Sequence, residues 1–148
     1  MRDVIVKLVE AHQNQLRDFD VKKELRSIQS YISQLKVELD EKSIYILVLK
    51  AIYDNYSKRA TTVMVFINNM EKSIKELHGI VEIEVVNSDV EFARATLNFD
   101  EKFMGKVENK EAILIHLDIP VKGLTEDKVF EQNDLEVKFT DVRVTYVE

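Results

Sequence analysis

The chain has 148 residues, 45% of them hydrophobic and 32% charged, with a net charge of −6 and no cysteine. That length suits one domain, or one domain with a helical extension, and the apolar share excludes a disordered chain. Without cysteine there is no disulfide framework, thiolate metal site or cysteine nucleophile.

Met1 is followed by Arg2, Asp3 and further charges rather than an apolar core, so no signal peptide is expected. The longest uncharged apolar run, Ile44–Leu49, falls far short of the roughly 20 residues a membrane span needs. The expected location is the cytoplasm. Residues 1–79 carry 13 Lys/Arg against 11 Asp/Glu, whereas residues 80–148 carry 8 against 16. The acidic second half repels phosphate backbones and anionic head groups, which disfavours a nucleic-acid partner.

Glycine and proline divide the chain: none precedes Gly79, and Gly105, Pro120 and Gly123 follow it. A breaker-free stretch rich in Leu, Ile, Lys, Glu and Gln predicts helix. A first helix over about residues 3–18 would bury Ile5, Leu8, His12, Leu16 and Phe19. Asp20 reads as the N-cap of a second helix, Val21–Leu39, with Glu24 near the position of a capping-box partner. Asp40–Ser43 is a possible turn, and a third helix over about 44–57 would be apolar on nearly every side. The β-branched and aromatic content of residues 44–49 also permits a strand, but the helical flanks favour helix. After a break at Asp54–Arg59, Thr61 or Thr62 would cap a fourth helix ending at His78, with Gly79 at C′.

One stripe links these helices: Val21, Leu25, Ile28, Ile32, Leu35 and Leu39, resuming as Ile46, Leu49, Val63, Ile67, Ile74 and Leu77. Spacing of three and four is the seam along which helices pack. With the breaks, the first half is a hairpin or bundle of three to four helices; without them, it is one rod that needs a partner helix or a second copy.

After Gly79 the period becomes two. Strands are predicted at Ile80–Val85 and Val90–Phe99, joined by Asn87-Ser88-Asp89, and at Glu111–Pro120. Leu135–Phe139 and Val142–Val147 would form one long or bent closing strand. Asp100–Lys110 is a charged connection holding Phe103 and Met104, and a short helix is expected near residues 125–132, with Val129 and Phe130 inward. The expected fold is therefore α+β: a helical, heptad-patterned association region (1–79) and an acidic antiparallel sheet of about four strands (80–148), read as one continuous domain.

No residue pattern announces catalysis, a metal or a cofactor. Of His12, His78 and His116, only His116 has a carboxylate, Asp118, on its own strand face, where it could orient the imidazole. Glu82, Glu84, Asp89, Glu91, Glu136 and Asp141 alternate with Val and Ile and read as the wet side of a sheet rather than paired catalytic acids. There is no calcium loop, phosphate-binding glycine loop or nucleophile elbow. Asn55-Tyr56-Ser57 fits a glycosylation sequon, which carries meaning only on a secretory route.

The first reading is thus a non-enzymatic interaction or assembly protein that associates through the seam, as a homo-oligomer or with a partner helix, and presents an acidic sheet surface. An alternative is a small-molecule or lipid carrier with a pocket between residues 44–53 and the sheet. A third follows from Thr61–Ile83, whose order of helix and strand resembles winged-helix DNA-binding domains over about 20 residues. That resemblance implies a recognition helix whose first turn, Val63–Ile67, has no base-reading polar group.

Overall fold

A computed structural model of the protein describes residues 4–35 and 43–148. The first half is not a helical bundle. Strands β2 (Ile44–Asp54), β3 (Arg59–Asn68) and β4 (Ile74–Val85) stand where the third and fourth helices are expected. The side chains explain this: Ile, Val, Thr, Tyr and Phe dominate residues 44–53 and 61–67, and their β-branched and aromatic groups suit a pleated sheet better than a helix. No recognition helix precedes a wing, because Val63–Ile67 is the middle of β3.

The stripe expected to be a seam between helices has a different origin. From Thr62 to Asn68 every residue of β3 is buried, since the strand is covered on both faces. A strand buried on both faces reads as a continuous apolar run, and such a run contains three–four spacing by default. The turns also lack the expected breakers. Lys58 turns the β2–β3 hairpin at φ 60°, its N–H donating to Asp54 O at 2.9 Å.

At the N-terminus, the expected first helix is strand β1 (Ile5–Leu8), parallel to residues 111–114 of a later strand, followed by a 3-10 helix at Glu10–Arg17. Val6 and Leu8 are buried while Ile5 is exposed, the alternation of a strand. Helix α1 spans Phe19–Gln34 and is capped by Asp18 rather than Asp20: Asp18 accepts the N–H groups of Asp20 and Val21 at 2.8 and 3.3 Å. The expected end of this helix at Leu39 and the turn at Asp40 lie outside the described residues.

In the second half, the run 90–99 becomes β5 (Glu91–Phe92) and β6 (Ala95–Phe99), then a single-turn helix α2 (Glu101–Met104), β7 (Glu111–Lys122) and β9 (Leu135–Tyr146). The short helix expected near 125–132 is instead strand β8 (Lys128–Glu131) with a 3-10 turn at Gln132–Asp134. Phe130 is buried there but Val129 is exposed.

The nine strands of the described residues form two layers. One runs β1–β7–β3–β2–β8 and the other β6–β4–β9, with β5 pairing to both β4 and β7. Between the layers lies one core, including Met64, Phe66, Leu77, Val81, Ile113 and Phe130. The outer face of the first layer carries a second core, where Val63, Val65, Ile67, Ala112 and Leu114 meet Ile28 and Ile32 of α1. β4 runs straight through Gly79, which is not a helix terminus. A Cβ there would stand 2.5 Å from the Phe139 ring, so glycine lets that ring pack directly on the strand and any side chain would have to displace it. Among the described residues, no helix is long and apolar enough to cross a membrane.

Candidate functional site

Helix α1 is fastened to the first layer at three points. Gln29 accepts the Val6 N–H at 2.7 Å and donates to Val4 O at 2.9 Å, fixing the helix to β1. Glu24 meets the His116 Nε2 on β7 at 2.8 Å. Tyr31 donates its hydroxyl to Gln132, just beyond β8. The helix therefore lies along the sheet but does not cover all of it.

Strand register builds the uncovered part. Across β8, β2, β3 and β7, one row reads Glu131, Lys50, Val63 and His116, and the next reads Val129, Ile52, Thr61 and Asp118. The β2–β3 register skips Leu49, placing it beside the first row. Between this row and α1 runs an open groove of about 540 Å³. Its apolar floor is Ile28, Leu49 and Val63; its walls are Glu24, Ser27 and Tyr31 on one side and Lys50, Glu131, Gln132 and Asn133 on the other. Ile52 and Val129 form a cross-strand pair in the second row and are 44% and 49% exposed.

The β2–β3 hairpin tip continues this surface. Asn55 N–H donates to Asp127 at 2.8 Å and holds the tip against the segment before β8. The Tyr56 N–H bonded to Asp54 keeps that carboxyl below the usual carboxylate range. The Tyr56 side chain itself is 97% exposed.

The twelve seam residues are divided by this fold. Ile28, Ile32, Val63 and Ile67 are buried in the core under α1, with Val21, Leu25, Leu35 and Leu49 packed against it. Ile74 and Leu77 belong to the core between the layers, with Ile46 at its margin. Leu39 lies outside the described residues. No single helical seam exists among the rest.

The histidines are also separated. His116 bonds Glu24, whereas Asp118 accepts the Thr61 hydroxyl at 2.8 Å, so the two are not joined as an acid–base pair. His12 packs edge-on against Phe103 and His78 lies 3.4 Å from Glu76. Among the described residues, no group of three His, Asp or Glu side chains is arranged to hold a metal ion. The segment 44–53, expected to face the sheet across a pocket, is itself a strand of it.

The carboxylates of the second layer are exposed or half-buried and, in one place, opposed. Glu84 stands directly across from Glu91 on one side and Glu136 on the other. Neighbouring Glu82 is compensated, with Arg94 at 2.9 Å and Lys138 opposite. Like charges directly across a ladder destabilise it. Glu84→Lys is expected to raise stability by about 0.5–1 kcal/mol at low ionic strength, with the gain shrinking in 1 M salt. Urea titrations at the two salt concentrations measure it.

Sequence reasoning missed Tyr31, Val129, Glu131 and Gln132 as site residues, and it gave Lys50 and Ile52 only as part of the 44–53 segment. They meet only through the β2–β8 register and the Tyr31–Gln132 bond, and no local spacing signals either. Compared with known protein families, curated proteins and solved structures, the chain matches none of them.

Proposed function

We propose that the protein is a non-enzymatic interaction module that holds a segment of a partner protein in the groove beside α1. The observation that carries this reading is the open groove floored by Ile28, Leu49 and Val63, with the exposed Ile52–Val129 pair one row beyond its Lys50–Glu131 edge. Apolar groups set in an open groove and rimmed by polar side chains are what a contact site presents. The walls supply side chains that both donate and accept hydrogen bonds, Ser27, Tyr31, Gln132 and Asn133, which match the mixed needs of a peptide backbone. Each copy carries a net charge of −6, which opposes self-association and favours a different, less acidic partner. The same charge disfavours nucleic acid. A cytoplasmic setting belongs to the same proposal, supported by the cysteine-free composition.

The test is cross-linking from a photoreactive residue at position 133, compared between the native protein and an Ile52→Gln/Val129→Gln variant. Both side chains are half-exposed, so the variant should lose no more than about 1 kcal/mol of stability. The expected result is a cross-linked partner protein whose yield falls at least tenfold in the variant. Equal yields would remove the groove from the function. A small amphiphile is the second reading, favoured by a groove volume within the range of ligand sites. A bound small mass in native spectra, lost in the same variant, would select it.

A further inference from the structure

The second layer has its own irregularity, on the far side of the shared core from the groove. The β4–β9 register shifts twice, once between Ile74 and Glu76 near the strand end and once in its middle, where His78 faces Arg143 and the next pair is Ile80 with Thr140. Gly79 on β4 and Asp141 and Val142 on β9 are thereby left out of the ladder. Asp141 adopts a left-handed φ of 52°. Bulges of this kind re-aim side chains and leave backbone groups unpaired, and they are frequent beside binding sites. Here the ladder opens into a hollow of about 810 Å³.

Polar groups converge on it from three strands. Asn98, His78 and Arg143 stand in one row across β6, β4 and β9, and Thr96 stands in the next row beside Ile80. Among the described residues, the side chains of Thr96, Asn98 and Arg143 make no hydrogen bond or ion pair. Asp141 lines the same hollow without pairing to Arg143. Glu76 also faces the row, held 3.4 Å from His78.

The charges decide what fits. A bare anion would meet Arg143 but also Asp141, Glu76 and the net charge of −6. A bare cation would meet Asp141 but also Arg143. A small molecule carrying both charges satisfies the two together. We propose that this hollow binds a small zwitterion of the α-amino-acid class. Its carboxylate would pair with the Arg143 guanidinium, its ammonium with Asp141, and an apolar side chain would rest on Ile80 and Val142. Asn98 and Thr96 would supply the remaining neutral hydrogen bonds.

The experiment is an NMR titration of the full chain with L-leucine, following the backbone amides of Gly79, Asp141 and Arg143. Arg143→Gln changes an exposed side chain, and Asp141→Asn keeps a residue that tolerates the left-handed conformation, so both variants retain the fold. Saturable shifts with an affinity on the order of 1 mM are expected, as suits an open site and a small ligand. Each variant should weaken binding at least tenfold. Sodium acetate and n-butylammonium chloride, each bearing one of the two charges, should leave the spectrum unchanged. The proposal is overturned by the absence of saturation with L-leucine, by equal binding in either variant, or by acetate alone reproducing the shifts.

Discussion

Replacing Asn68 by alanine is expected to cost about 3 kcal/mol of stability. Asn68 closes β3 and is completely buried. Its side-chain amide donates to Lys72 O at 3.0 Å and to Val107 O at 2.8 Å, while its carbonyl accepts the Met70 N–H at 2.8 Å. One side chain thus organises the β3–β4 connection and ties it to the segment before β7. Alanine removes all three bonds. Val107 O keeps the Ile74 N–H at 2.9 Å, but Lys72 O and Met70 N–H lose these partners. Leaving a buried polar group unsatisfied costs about 1–3 kcal/mol each, and partial access of water to the loop sets the sum near the middle. Asn68→Asp should be worse at neutral pH, because it keeps the acceptor but turns a carboxylate toward two carbonyl oxygens. Burial and those carbonyls raise the folded-state pKa of such an Asp, so its penalty falls as pH drops through that value. Urea unfolding followed by far-UV circular dichroism measures both, since the chain has no tryptophan. A loss below about 1 kcal/mol in Asn68→Ala would mean that the turn holds its shape without this residue.

Asn68 also shows why half of the fold was hidden. Reading turns from glycine and proline finds none before Gly79, yet Lys58 and Asn68 make two. Reading helices from three–four spacing succeeds for α1, where Val21, Leu25, Ile28, Ile32 and Leu35 lie between polar positions. It fails for β3, where burial on both faces removes the polar positions that would reveal a period of two. In the second half, strands with one wet face keep their alternation, as Glu82 and Glu84 do between Val81, Ile83 and Val85. The groove was less legible still. Lys50 and Glu131, or Ile52 and Val129, become neighbours by a pairing that joins residues about eighty positions apart. Composition around each gives no hint of the other, and only the register makes an exposed apolar pair of them.

Ile32→Asp is expected to cost about 4 kcal/mol and to separate α1 from the sheet. Ile32 is fully buried on α1, packed in the core formed with Val65, Ile67 and Leu114. A carboxylate there would stand among apolar side chains, and burying a charge in such a place is among the few single changes that cost this much. The ties that remain, Gln29 to β1, Glu24 to His116 and Tyr31 to Gln132, are partly or fully exposed and too weak to offset it. Release of the helix would uncover Val63, Val65 and Leu114, so the variant should also associate at high concentration. Lys22→Asp, on the exposed side of the same helix, controls for charge and helix propensity and should change stability by less than about 1 kcal/mol. The comparison tests whether the α1 stripe is used within the chain or between chains. If its partner were another chain, Ile32→Asp would leave the monomer as stable as the native protein and abolish only an oligomer. Urea titrations at two protein concentrations, read beside native mass spectra, distinguish the cases: an intramolecular helix gives a midpoint loss independent of concentration in the native-to-variant comparison at low micromolar protein.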